Sequence, residues 1–223
     1  MWVSDRKQLR RQMPDHLSKE LPEQLPKQLS KQLPKQLLML MIGMFLIGLG
    51  ICLYVQADLG AEPFTVLAQG VSCLTGLQFG RAMQSLNIAI ILVILIVDRS
   101  HLGLGTLLSA VLVGFFADTL MNWIPHAPNM PVAVLMLIGA VTTMGIGVGI
   151  FIASDLGEGA VEGLMMLTHR KTGFEVRWAR ILMDSVCVLT GALLGGSIGV
   201  GTLVGAFCTG PIIQETLRIL GYS

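Results

Sequence analysis

The chain has 223 residues, of which 53% are apolar and only 13% charged, with a formal net charge of +1 and a mean hydropathy of +0.71. A soluble domain of that length needs more charge to cover its surface, so a body dissolved in water is excluded and one dissolved in lipid is implied. Eight of the fifteen Lys and Arg residues lie before residue 36, and those left over are too few and too scattered for nucleic-acid binding.

Residues 1–36 read as a basic, low-complexity tail. From Leu17 the sequence runs LSKE, LPEQ, LPKQ, LSKQ, LPKQ. Leucines four apart would line one helical face, but Pro22, Pro26 and Pro34 would interrupt that helix's hydrogen bonds. The tail is therefore expected to be disordered or only partly helical. Its cations favour the cytoplasmic side and contact with anionic lipid. A cleavable signal peptide is not expected, since the region before the first apolar run is too long.

Apolar runs long enough to cross about 30 Å of hydrocarbon as helices follow one another from there. They are Leu37–Val55, a shorter Ala82–Val97 that is polar only at Gln84, Ser85 and Asn87, then Leu102–Ala117, Val132–Ala153, Ile181–Gly196 and Gly199–Ile213. Alternating strand patterns are absent, so the expected fold class is all-α, a polytopic transmembrane helical bundle of six spans. Two further segments, Glu62–Thr75 and Glu158–Lys171, are polar and short, and read as amphipathic, non-spanning helices.

The body is written twice, at a spacing of 97 residues that slips to 96. Gly48 and Gly50 match Gly145 and Gly147, and Ala57-Asp-Leu-Gly60 matches Ser154-Asp-Leu-Gly157. Thr75 and Gly76 match Thr172 and Gly173, Asn87 falls on Asp184, and Leu102-Gly-Leu-Gly-Thr106 falls on Ile198-Gly-Val-Gly-Thr202. Residues 37–121 and 132–223 are thus read as two membrane repeats joined by the loop 122–131. If the short segments do not cross, each copy has three spans and the copies are inverted. If they cross, each has four and the copies are parallel. Length and polarity favour the first arrangement, while counting loop cations misplaces Arg81 in one and Arg99 in the other.

Polar groups within the apolar body are costly unless paired or wet, which makes them candidates for a cavity or gate. They are Asp58, Glu62, Asn87, Asp155, Glu158, Glu162, Arg180 and Asp184. Asp155 and Glu158 have capping-box spacing, and Asp58 and Asp155 are expected to cap the short helices that follow them. Arg180 and Asp184, four apart, share a helical face and can pair. Asp118 and Glu215, near span ends, are expected to be solvated, and Gly210-Pro211 to kink or break the last helix. The cysteines stand singly, the histidines have no ligand partners at recognisable spacing, and the glycine sets lack the Lys-Ser/Thr of a phosphate loop, so no catalytic group, metal or cofactor is expected.

The doubled pattern of GxG, (A/S)DLG, TG and (I/L)GxGTL resembles the YczE/YitT group of bacterial inner-membrane proteins over residues 40–217. That group shows Leu-Gly-x-Gly-Pro-x-Asp in each copy. The first copy here reads Leu59-Gly-Ala-Glu-Pro-Phe-Thr65 and the second Leu156-Gly-Glu-Gly-Ala-Val-Glu162, so the proline survives only in one and the acid only in the other. The resemblance implies a multi-pass protein of the bacterial inner membrane, N-terminus cytoplasmic, with no assigned chemistry. Two expectations follow. One is a permease for a small solute or ion; the other is an accessory protein that regulates a membrane partner without moving a solute. The lipid bilayer is the one certain neighbour, and a homo-oligomer is compatible with the glycine faces.

Overall fold

The computed structural model describes the backbone of residues 15–97, 103–157, 159–173 and 176–222, with side chains from Leu33 onward within those ranges except at 166, 176 and 177. The chain divides into two units, residues 1–38 and 39–223. All regular structure among the described residues is helical: α1 Asp15–Ala57, α2 Pro63–Thr75, α3 Phe79–Val97, α4 Leu104–Met121, α5 Met130–Ala153, α6 Ala160–Thr172, α7 Val176–Leu193 and α8 Val200–Ile219.

In the first unit the helix begins at Asp15 and continues through Pro22, Pro26 and Pro34, where interruption is expected. Each proline removes one helical hydrogen bond. The residues between them are mostly Leu, Lys, Gln and Glu, all strong helix formers, and the spacing gathers the three gaps on one side.

Four helical stretches among the described residues are long and apolar enough to cross a membrane: Leu33–Ala57, Phe79–Val97, Leu104–Met121 and Met130–Ala153. Six are expected from the sequence. α7 falls short because Arg177, Arg180 and Asp184 lie within it, and α8 because Gln214, Glu215 and Arg218 occupy its last turns. The short segments form helices of 13 residues each, α2 and α6, about 20 Å long at helical rise and too short for a bilayer. The outer surface carries large apolar side chains, among them Ile96, Leu135, Leu203 and Phe207, the last 78% exposed. A surface of that kind is solvated by lipid tails rather than water.

Small residues bring the helices together. Burying Leu against Leu gains nothing in lipid, so close approach and its dispersion contacts must hold the bundle. α1 and α5 cross antiparallel: a Cβ on Gly43 would sit 2.8 Å from the Phe151 nitrogen, and one on Gly50 2.8 Å from the Met144 Cβ. α3 and α4 form a second antiparallel pair, in which Gln84 donates to the Val111 carbonyl at 2.8 Å. α5 lies beside α8 running the same way, Gly145 against Ile212 and Gly149 against Thr216. The short helices rest on longer helices from the other half of the chain: α2 on α7 and α6 on α3.

Contacts between the halves come in matched sets. The Gly201 N–H donates to the Leu59 carbonyl at 2.7 Å, and the Gly105 N–H to the Leu156 carbonyl at 2.8 Å. Gly60 meets Gly199 and Gly157 meets Gly103 at backbone distance. Asp58 and Asp155 have φ of 53° and 54°, and Gly76 and Gly173 have φ of 69° and 72°.

Those two aspartates correct an expectation. They end α1 and α5 in the left-handed conformation, which Asp tolerates better than most residues. They do not cap the short helices: the cap of α2 is Glu62, whose carboxylate accepts from the Phe64 N–H at 3.2 Å, and that of α6 is Gly159. α7 also starts at Val176 rather than near Ile181, because its charged first turns are helical as well. α8 runs unbroken through Gly210 and Pro211. Pro211 lies on the exposed face, so the lost hydrogen bond opens toward lipid and leaves the buried face packed.

Candidate functional site

A cavity of about 120 Å³ lies where the middles of α1, α3, α4, α5 and α8 meet the starts of α2 and α6. Its wall is mostly apolar, with Ile51, Phe64, Met83, Val148 and Phe151 prominent. The polar groups on it are few: Glu62, Asn87, Ser109, Glu162, Arg180 and Thr209. That volume holds on the order of eight waters, or one small organic molecule.

The short helices aim at this space. α2 begins at the cavity and ends beside Gly195, whose carbonyl lies 3.8 Å from the Cys73 sulfur. α6 begins there too, with Gly159, Ala160 and Val161 on the wall. Each N-terminus carries roughly half a positive charge. Each is matched by a carboxylate, Glu62 at the cap of α2 and Glu162 in the first turn of α6. Pro63 opens α2 at a position where its missing N–H costs nothing.

Arg180 reaches the cavity from α7, and its Nε donates to the Asp184 Oδ2 at 3.1 Å. The four-residue spacing noted in the sequence thus produces a pair, and the two charges cancel locally. Glu62 and Glu162 form no ion pair within 4 Å among the described residues. Burial pushes the Glu62 carboxyl up, to about 7; Arg180 opposes the shift, while Asp184 and Glu162 add to it.

Of the predicted site residues, Glu62, Asn87, Glu162 and Arg180 line one cavity and Asp184 is tied to it through Arg180. Asp58 and Asp155 do not reach it. Both are exposed, and Asp58 accepts from the Ser197 hydroxyl at 3.3 Å. Glu158 lies outside the described residues. Gly210 is not on the wall, and neither is Pro211. Asp118 is half-buried rather than fully solvated and accepts the Gly80 N–H at 2.7 Å, capping α3, while Glu215 is exposed beside Arg218.

Sequence reasoning missed Thr209 and Tyr54. Both hydroxyls are buried; they stand beside each other and make no hydrogen bond outside that pair with a described residue. Thr209 lines the cavity, and Tyr54 packs against Gly205 next to it. A threonine or tyrosine in an apolar run is unremarkable by itself, and only the face it occupies gives it meaning. Asn87 is 8% exposed and likewise makes no hydrogen bond with a described residue.

Comparison with known proteins gives a consistent picture. A family of unknown function, DUF6198, matches residues 34–217. The uncharacterized membrane protein YczE of Bacillus subtilis (strain 168) is 27% identical over 186 residues, covering 81% of this chain and 86% of its own length. An uncharacterized protein of Haemophilus influenzae (strain ATCC 51907 / DSM 11121 / KW20 / Rd) is 31% identical over 184 residues, 82% of this chain and 83% of that one. The uncharacterized protein YyaS of Bacillus subtilis (strain 168) is 23% identical over 182 residues, 80% and 90%. No solved structure matches the chain.

Proposed function

The chain belongs to DUF6198, a family of YczE-type membrane proteins whose description assigns no activity, and from that premise we propose that it moves a small solute across the bacterial inner membrane through the central cavity. The observation that carries the reading is the meeting of two short, non-spanning helices, N-terminus first, at one mostly apolar cavity with a few polar groups. Half-helices whose ends face a common interior are a recurring way of building a solute site in hydrocarbon.

The same reading makes α7 and α8 spans and relates the two halves by inversion, with the N-terminus cytoplasmic. The matched bonds Gly201 to Leu59 and Gly105 to Leu156 support a two-fold relation, since their partners are equivalent under the sequence repeat. Antiparallel α1 and α5, equivalent helices of the two copies, support inversion in particular. Alternating access then needs only one half to rock against the other around a fixed site. Among the described residues its wall shows no arrangement of nucleophile and base, and the reading is of a carrier and not an enzyme.

Proteoliposomes of the full chain, loaded from outside with a bacterial metabolite extract and read by mass spectrometry, test this. At least one solute is expected to accumulate, and Asp184→Asn or Glu162→Gln to lower that accumulation tenfold or more. Accumulation unchanged in both variants removes these residues from the mechanism. None in the wild type overturns transport and favours an accessory protein.

A further inference from the structure

The cavity's charges do not balance, and the imbalance selects a ligand. Arg180 is satisfied by Asp184 on its own helix, so it offers little to an incoming anion. At pH 8, with both ionised, Glu62 and Glu162 then bring two negative charges, against roughly one positive charge from the two helix N-termini. About one negative charge is left over. An uncompensated charge beside apolar side chains is expensive, and a ligand of the opposite sign relieves the cost.

A second, independent observation is an unspent amide. Asn87 lines the cavity at 8% exposure and makes no hydrogen bond with a described residue, so its carbonyl can accept from a ligand. Thr209 is also on the wall, but its hydroxyl is set against that of Tyr54. Two carboxylates and one neutral oxygen form a set of acceptors. The rest of the wall is Ile, Met, Val and Phe, including Phe64 and Phe151, whose ring faces favour cations. A cavity of about 120 Å³ is several times larger than a bare metal ion needs.

We propose that the solute is a small organic cation, its ammonium group held between the Glu62 and Glu162 carboxylates with Asn87 as a neutral acceptor, and its apolar body against Phe64 and Phe151. This rests on the reading of the cavity as a transport site, and names what that site takes. Binding involves no covalent step, and the Arg180–Asp184 pair serves as a neutral part of the wall.

Three probes of one shape and different charge decide the matter: benzylammonium, benzyl alcohol and benzoate, titrated calorimetrically at pH 8 into the full chain purified in detergent, with sodium chloride as a fourth titrant. Benzylammonium is expected to bind at least tenfold more tightly than benzyl alcohol, and benzoate not to bind. Glu62→Gln with Glu162→Gln should remove that advantage, and Asn87→Leu should lower the affinity several-fold. Equal binding of the alcohol, binding of benzoate, binding of sodium alone, no binding by any probe, or unchanged affinity in the double variant each overturns the proposal. The comparison among probes uses the wild type, so an unfolded variant leaves the proposal exposed to refutation. Benzylammonium bound but not carried into proteoliposomes removes transport and keeps the cation site. Another solute carried with no benzylammonium bound does the reverse.

Discussion

Glu62 concentrates several demands on one side chain. It caps α2, faces the cavity, and stands near other ionisable groups: Glu162 from α6, Arg180 and Asp184 from α7, and Tyr54 from α1. Burial pushes its carboxyl up to about 7, which places the change of charge near neutrality. The sign is fixed by the ligand. A cation needs the ionised carboxylate, so affinity is full above pH 7 and falls as the pH drops through that value. Benzylammonium should therefore bind roughly tenfold more weakly at pH 6 than at pH 8, with close to one proton taken up per cation released. Calorimetry in buffers of different ionisation enthalpy reads both quantities. A flat profile between those pH values excludes Glu62 as the titrating group. Asn87 and Asp184 match in the sequence repeat, yet one is neutral and lines the cavity, while the other is spent on Arg180. Positions paired by the sequence repeat thus differ in charge and in their place relative to the cavity.

At the scale of elements, the places where a loop of one half meets a helix start of the other bear the tightest contacts. Gly60 has φ of 92° and lies against Gly199 with backbone on backbone. A methyl group there meets both a disfavoured conformation and a collision, so Gly60→Ala should destabilise by about 2 kcal/mol or more. Gly210→Ala is the matched control, because nothing lies within 4 Å of a Cβ built there and alanine is the better helix former. Thermal unfolding in detergent should show a lowered midpoint for the first and an unchanged or raised one for the second. Much at this scale was legible beforehand. The short helices start within two residues of where polarity begins, at Pro63 and Ala160, and the Arg180–Asp184 pair follows from helical spacing alone. The start of α7 was not legible, since charge marks where lipid ends and not where a helix does. Nor was the conformation of Asp58 and Asp155, because a cap for the next helix and an end for the previous one read alike when only order along the chain is known. The cavity itself joins residues from eight helices, and no periodicity within one helix reports which face its neighbours cover.

For the whole molecule, the proposed inverted relation makes a prediction about sides. Leu77 follows α2 and Lys171 lies in the last turn of α6, both exposed. In a chain freed of Cys52, Cys73, Cys187 and Cys208, Leu77→Cys should react with an impermeant maleimide in intact cells. Lys171→Cys should react only after the membrane is opened. Labelling of both from the same side means that the copies are parallel and the short helices cross.

The bond from the Gly201 N–H to the Leu59 carbonyl ties the beginning of the membrane body to its last helix. During synthesis the end of α1 is made early and must wait, its carbonyl without the native partner, until α8 has left the ribosome. The finished shape is therefore not assembled helix by helix as the chain is inserted. It closes only when the start of α8 reaches the loop after α1. A chain truncated just before Val200 therefore leaves the Leu59 carbonyl without its native partner.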